Sequence, residues 1–203
     1  MKAQVIGLYA RVEAAHATLP PTACGAGCDH CCHLPVEANA VEVMTLVQHL
    51  LETRDEAGLA ALRAALRAHV AVVEATPAAE RIALRQPCPL LVDHRCSVYE
   101  ARPLACRAFH SADAEGCATA LKTENARVGF RFPDKRRFAI ASQASALLVD
   151  GARGVGRDTA SYNLGQALAI ALESPDETQA RWDRGEAVFP PSARPFEDGI
   201  AAT

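Results

Sequence analysis

Apolar residues recur at three- and four-residue steps over most of the chain, the spacing of helices that bury one face. Val5, Leu8, Val12 and Ala15 predict a first helix over residues 1–19, stopped by Pro20-Pro21. Ala40, Met44, Val47 and Leu51 predict a second from Val36 to Arg54. Asp55 has the chemistry of an N-cap, and Leu59, Leu62, Leu66, Val70 and Val73 line one face of a third helix ending near Ala75. Later helices are expected at about 113–122, 134–150, 158–173 and 176–187, with Pro133-Asp134, Asp158 and Pro175-Asp176 as start signals.

The rhythm breaks in two places. Thr22 to Pro35 (TACGAGCDHCCHLP) has the composition of a loop. From Cys88 the texture changes again (CPLLVDHRCSVYEARPLACRAFH). There Leu90 to Val92 and Cys96 to Tyr99 fit two short strands around Asp93-His94, and Glu100 to Arg107 fits a short helix or turn. Gly151, Gly154 and Gly156 (GARGVG) stand in the wrong order for a dinucleotide fingerprint and read as a loop. The tail from Pro190 reads as poorly ordered. The expected architecture is mostly α: one domain over residues 1–189, a short β-hairpin near 88–99, and a flexible tail over 190–203.

Composition narrows the function classes. The chain has 203 residues, of which 50% are hydrophobic, enough for a sizeable core. Its 42 alanines favour helix over sheet. A net charge of -3, from 21 basic and 24 acidic residues, demands no nucleic-acid or anionic-membrane partner. Arg127 to Phe138 (RVGFRFPDKRRF) mixes basic and aromatic residues, and reads as a solvated face with core phenylalanines rather than an RNA contact. No apolar run is long enough to cross a membrane, and Arg11 and Glu13 interrupt what would be a signal core, so a cytoplasmic location is expected.

The eight cysteines are grouped. Cys24, Cys28, Cys31 and Cys32 lie within nine residues, Cys88, Cys96, Cys106 and Cys117 within thirty, and the 55 residues between the groups hold none. A disulfide framework suits small secreted domains without a core, which this chain is not expected to be. Burial as small hydrophobes could account for one or two cysteines, but not for four in a short polar loop. Thiolate ligation of a soft or borderline metal accounts for all eight: zinc, iron as an iron–sulfur cluster, or copper(I). Adjacent Cys31 and Cys32 are expected to point apart, so that they serve two ions or one of them packs, and the hairpin over 36–75 is expected to fold back so that the groups meet. His30, His33, His94 and His110 flank cysteines and could substitute as ligands, but solvated or hydrogen-bonded loop histidines are the simpler reading. His16, His49 and His69 look structural. Cys28-Asp29-His30-Cys31 is formally a CxxC pair without the strand context of a redox motif.

The stretches Cys24 to Cys32 (CGAGCDHCC) and Cys88 to Phe109, above all C-x-V-Y-E-x-R-P-x-x-C-R at Cys96 to Arg107, resemble the YkgJ-type cysteine-cluster family with its CxxCxxCC signature. The resemblance covers about residues 20–120. Three residues rather than two separate Cys24 from Cys28, a departure from the signature. The resemblance implies zinc or iron chelation and no particular reaction. Carried over by position, it implies Cys24, Cys28, Cys31, Cys32, Cys88, Cys96 and Cys106 as ligands. Cys117 lies beyond the aligned part and is included because it completes the eight. Tyr99, Arg102 and Arg107 fall among the ligands, where guanidinium groups would offset thiolate charge. The alternatives are an iron–sulfur redox or group-transfer enzyme and a zinc-stapled interaction module.

Overall fold

The computed structural model describes residues 1–81, 83–123 and 134–193. Of the basic-aromatic stretch 127–138, residues 127–133 lie outside the described residues and Phe138 is exposed rather than core. Of the expected tail 190–203, residues 194–203 lie outside, while Pro191–Ala193 form a 3-10 turn that buries Ala193 in the core. The protein is mostly helical. The helices are α1 (Lys2–Ala17), α2 (Ala40–Thr53), α3 (Glu56–Ala75), α4 (Ala78–Arg81), α5 (Leu104–Ala108), α6 (Ala114–Lys122), α7 (Lys135–Gly154), α8 (Leu164–Glu173) and α9 (Pro175–Asp183). Four short strands form two antiparallel pairs: β1 (Glu37–Asn39) with β4 (Ser161–Asn163), and β2 (Leu91–Val92) with β3 (Arg95–Cys96).

Helix α2 is the hub. Residues from Ala40 to Val47 are buried without interruption, so its environment is protein on nearly every side. It starts at a capping box. The Asn39 side chain accepts from Glu42 N–H at 3.0 Å, and a Glu42 carboxylate oxygen accepts from Asn39 N–H at 3.3 Å. Such a cap contributes about 1 kcal/mol. Helix α3 follows directly, capped as expected by Asp55, which accepts from Gly58 N–H at 2.8 Å. Its stripe of Leu59, Leu62, Leu66 and Val73 is buried, and α3 packs along α8. Helix α7 lies across α1 and α5. One core of buried side chains runs from Val5 to Ala193, with Tyr9, Met44, Tyr162 and Trp182 among its largest members.

Four expectations shift. The buried face of α1 is Val5, Tyr9, Val12 and His16, one step round from the purely aliphatic stripe, because Tyr9 bonds Glu42 of α2 and His16 meets the Arg137 carbonyl of α7. Residues 37–39 and 161–163 are strand, not helix. They pair across the molecule, and the flanking bonds Ala40 N–H to Ala160 O (3.0 Å) and Leu164 N–H to Val36 O (2.9 Å) extend the ladder. A partner so distant in sequence is invisible to local periodicity. Asp158 therefore caps a turn, accepting from Ala160 N–H and from the Tyr162 hydroxyl, and Asn163 caps α8 instead. The glycine stretch is also not a loop throughout: Gly151 and Gly154 belong to α7, and only Gly156 (φ 71°) turns the chain. That turn is packed hard. A Cβ on Gly185 would come within 2.4 Å of the Gly156 carbonyl oxygen.

Candidate metal centre

The expected hairpin forms, and its turn is unusual. Asp93 and His94 have φ of 47° and 60°, the left-handed values that a two-residue hairpin loop demands. Neither is glycine, so each position stores about 1–3 kcal/mol of strain. The His94 side chain is held in return: its Nδ1 donates to Asp29 Oδ2 at 2.8 Å. Asp29 sits in the first cysteine loop and is buried. The same loop is tied to the returning chain by Cys88 N–H to Cys32 O at 2.8 Å and Gln86 N–H to His33 O at 3.1 Å. The two cysteine stretches therefore run side by side.

Five of the eight cysteines, Cys31, Cys32, Cys88, Cys96 and Cys106, line one cavity of about 380 Å³. Leu66 and Val73 of α3 and Leu164 and Leu168 of α8 form much of its apolar wall. Four of the thiols form a mutual set. Burial pushes Cys88 up to about 12, with Cys96 and Cys32 adding to it. Burial likewise raises Cys96, where Cys32 adds, and Cys106, where Cys88, Cys96 and Cys32 add. The Cys31 and Cys32 thiols act on each other, which raises Cys31 and lowers Cys32. Adjacent Cys31 and Cys32 thus meet each other, against the expectation that they diverge. They belong to a tight 3-10 turn, His30–His33. Among the described residues, no three His, Cys, Asp or Glu side chains already close on a common point as a finished ion site would.

Arg102 is the charge beside this set. It favours the thiolate form of Cys31, Cys32, Cys96 and Cys106. Its guanidinium lies 4.5 Å from the centroid of the Tyr99 ring, and its buried Nε finds no hydrogen-bond acceptor among the described residues. Soft sulfur donors next to an unspent cationic N–H suit a thiolate-bound zinc or iron.

Arg107 is placed differently. It is buried, and its donors go to the carbonyls of Arg102, Tyr99 and Glu100, each at 2.8 Å, and to the Glu13 carboxylate. It stacks 4.6 Å from the Tyr9 centroid. The signature Y-E-x-R-P-x-x-C-R thus divides its labour. Tyr99 supports both arginines, Arg102 faces sulfur, Cys106 faces the cavity, and Arg107 fastens the turn to the core.

Cys24, Cys28 and Cys117 form a second locus. Cys24 Sγ accepts from Ser111 N–H at 3.1 Å. Helix α6 packs against the 3-10 turn, with Cys117 buried. Burial raises Cys28, and Cys24 and Cys117 raise it further. Cys28 and Cys31, the formal CxxC pair, fall in different sets. Three of the flanking histidines serve Asp29, and the fourth, His110, packs on His16 of α1. His33 Nδ1 donates to the Asp29 carbonyl at 3.2 Å, and His30 Nδ1 stands 3.8 Å from Asp29 Oδ1. His110 packs edge-on to His16 at 5.4 Å.

Sequence reasoning missed Asp29, Ser111 and Glu42. An aspartate between cysteines carries no spacing signal. Glu42 sits inside an apolar helix, and only its capping-box position after Asn39 hints at a role. It accepts from Leu104 N–H at 2.7 Å and from the Tyr9 hydroxyl at 3.1 Å, which anchors the start of α5 to the hub helix. Burial raises its carboxyl above the usual carboxylate range, although these donors and Arg107 pull the other way. The fold thus binds the Glu42 proton more tightly than the unfolded chain does. Its contribution to stability is full below the ordinary carboxylate pKa and shrinks as pH rises through the folded value. The deficit of Glu42→Gln relative to the parent, read from urea midpoints, should therefore be larger at pH 5 than at pH 8. An equal deficit at both would mean that the carboxyl titrates as in the unfolded chain.

No described helix is long and apolar enough to cross a membrane. No curated protein and no solved structure matches the chain. A family model does match, over residues 23–128, which spans both cysteine stretches, α5 and α6. The chain belongs to the CxxCxxCC family, described as "Putative zinc- or iron-chelating domain".

Proposed function

We propose that this protein chelates zinc or iron through clustered thiolates, as a metal-binding protein rather than one defined by a reaction. Cys32, Cys88, Cys96 and Cys106 are the main four-sulfur set, with Cys31 beside them, and Cys24, Cys28 and Cys117 are a second, smaller set. The observation that carries this reading is that thiols from both remote stretches line one cavity beside Arg102. Four thiolates around a dication leave a formal charge of about -2, which a guanidinium offsets. A single domain is supported by the core that joins Val5 to Ala193, which carries it a few residues past 189. A cytoplasmic location suits free thiols.

The cavity bears on the choice between a staple and a working centre. The thiol wall faces a chamber instead of being sealed under side chains. That favours a centre open to exchange, or an iron–sulfur cluster with room for its inorganic sulfide, over zinc used only as a staple. Anaerobic purification followed by metal, sulfide and visible-absorption analysis tests the proposal. Brown protein with stoichiometric iron and sulfide supports a cluster. Colourless protein with stoichiometric zinc supports simple chelation. Freely titrating thiols with neither metal would overturn both.

A further inference from the structure

We infer that Asp29 and His94 are a positioning pair for the thiol cavity, a clamp that holds the strand carrying Cys96 against the turn carrying Cys31 and Cys32. The inference rests on the proposal that these thiols bind metal.

Three observations converge on it. Asp29 is a buried carboxylate in a loop, and its charge is met by His94 Nδ1 at 2.8 Å across 65 residues of sequence. His94 side-chain exposure is 77%, so no packing accounts for its position. Yet its backbone stands at φ 60°, a conformation that glycine takes freely and histidine does not. A strained, exposed residue that spends its ring on a buried carboxylate is doing something other than filling space.

The position explains what. His94 ends the turn, Cys96 is two residues further on, and its strand pairs Cys96 with Leu91, whose N–H is bound to the Cys88 carbonyl. Asp29 lies two residues before Cys31 and is itself braced by His33 through its carbonyl. The Asp29–His94 bond therefore spans from the first cysteine stretch to the second at residues other than those of the Cys32–Cys88 backbone bond. The Cys88–Cys32 and Gln86–His33 backbone bonds join the stretches at adjacent residues, and the Asp29–His94 bond joins them at a separate point, which fixes their relative angle where the backbone bonds alone would allow a hinge. Ligand groups are useful to a metal only when such supports hold them in place, and removing a support costs about 10- to 100-fold in metal affinity.

Anaerobic cobalt(II) titration of the reduced full-length protein, followed by its sulfur-to-cobalt charge-transfer absorption, tests the clamp. His94→Ala and Asp29→Ala should each weaken cobalt binding by about 10- to 100-fold, and the double variant should be no worse than either single one. Asp29→Asn retains an acceptor for His94 and should recover most of the loss. His94→Gly relieves the strained turn and keeps the hairpin, so it should bind cobalt as weakly as His94→Ala. Should Asp29→Ala fail to fold, the exposed His94 variants carry the test. Wild-type affinity in His94→Gly and His94→Ala would overturn the clamp while leaving thiolate binding intact. No cobalt uptake by the wild type would overturn the thiolate proposal, and the clamp with it.

Discussion

Cys106→Ser is expected to strip the main site of its metal and to lower the melting temperature by roughly 8–16 °C. Cys106 is the thiol at which the set closes, since Cys88, Cys96 and Cys32 all act on it and α5 brings it in from a third direction. Serine has nearly the same shape, so packing changes little and the loss reports on ligation. A ligand present at about a thousand times its dissociation constant stabilises by about 4 kcal/mol. For a domain of this size each kcal/mol moves the midpoint by about 2–4 °C. Cys31→Ser should act in the same direction, because the Cys31 thiol lies beside Cys32 and helps hold its proton affinity down. Metal analysis of the purified variants, alongside thermal melts with and without added chelator, checks both. If Cys106→Ser retains full metal content, the cavity thiols are not the site.

The second large effect should come from a residue that touches no sulfur. Arg107→Ala removes four hydrogen bonds at once: the carbonyls of Glu100 and Arg102 and the Glu13 carboxylate lose the guanidinium, and the Tyr99 carbonyl keeps only Arg102 N–H. With Glu13 partly exposed, the cost falls mainly on the charge-assisted hydrogen bonds lost from a buried guanidinium, together about 3–5 kcal/mol. That corresponds to roughly 6–20 °C in melting temperature. Lysine keeps the charge but not the fork of donors, so Arg107→Lys should recover less than half of the loss. The readout is a urea unfolding curve of chelator-treated protein, which separates fold stability from metal stability. A variant that unfolds within about 0.5 kcal/mol of the parent, the range of ordinary surface changes, would mean that the arginine is not a fastener.

Much of this molecule can be read along its chain. The helix over 56–75 announces itself through Asp55 and the Leu59, Leu62, Leu66, Val73 stripe, because capping and one-sided burial are local, periodic demands. The hairpin at 91–96 and the loop at 22–35 are similarly legible from turn residues and composition. Eight grouped cysteines point to soft-metal chemistry before any fold is known, since thiols have few other reasons to gather in a polar loop. The strand pair 37–39 with 161–163 is not legible, because each half gains its structure only from a partner more than 120 residues away.

The site divides along the same line. Residue chemistry alone determined that this protein is mostly helical and that it carries a sulfur-rich metal signature. Only the tertiary structure decided which sulfurs share a wall, that Cys28 and Cys31 part company, that Arg102 faces thiol while Arg107 faces carbonyls, and that Asp29 reaches His94. Ligand identity is a property of a side chain, fixed by its atoms. Ligand grouping is a property of distances between stretches 55 residues apart in sequence, and those are set by how α2 and α3 pack before the chain returns.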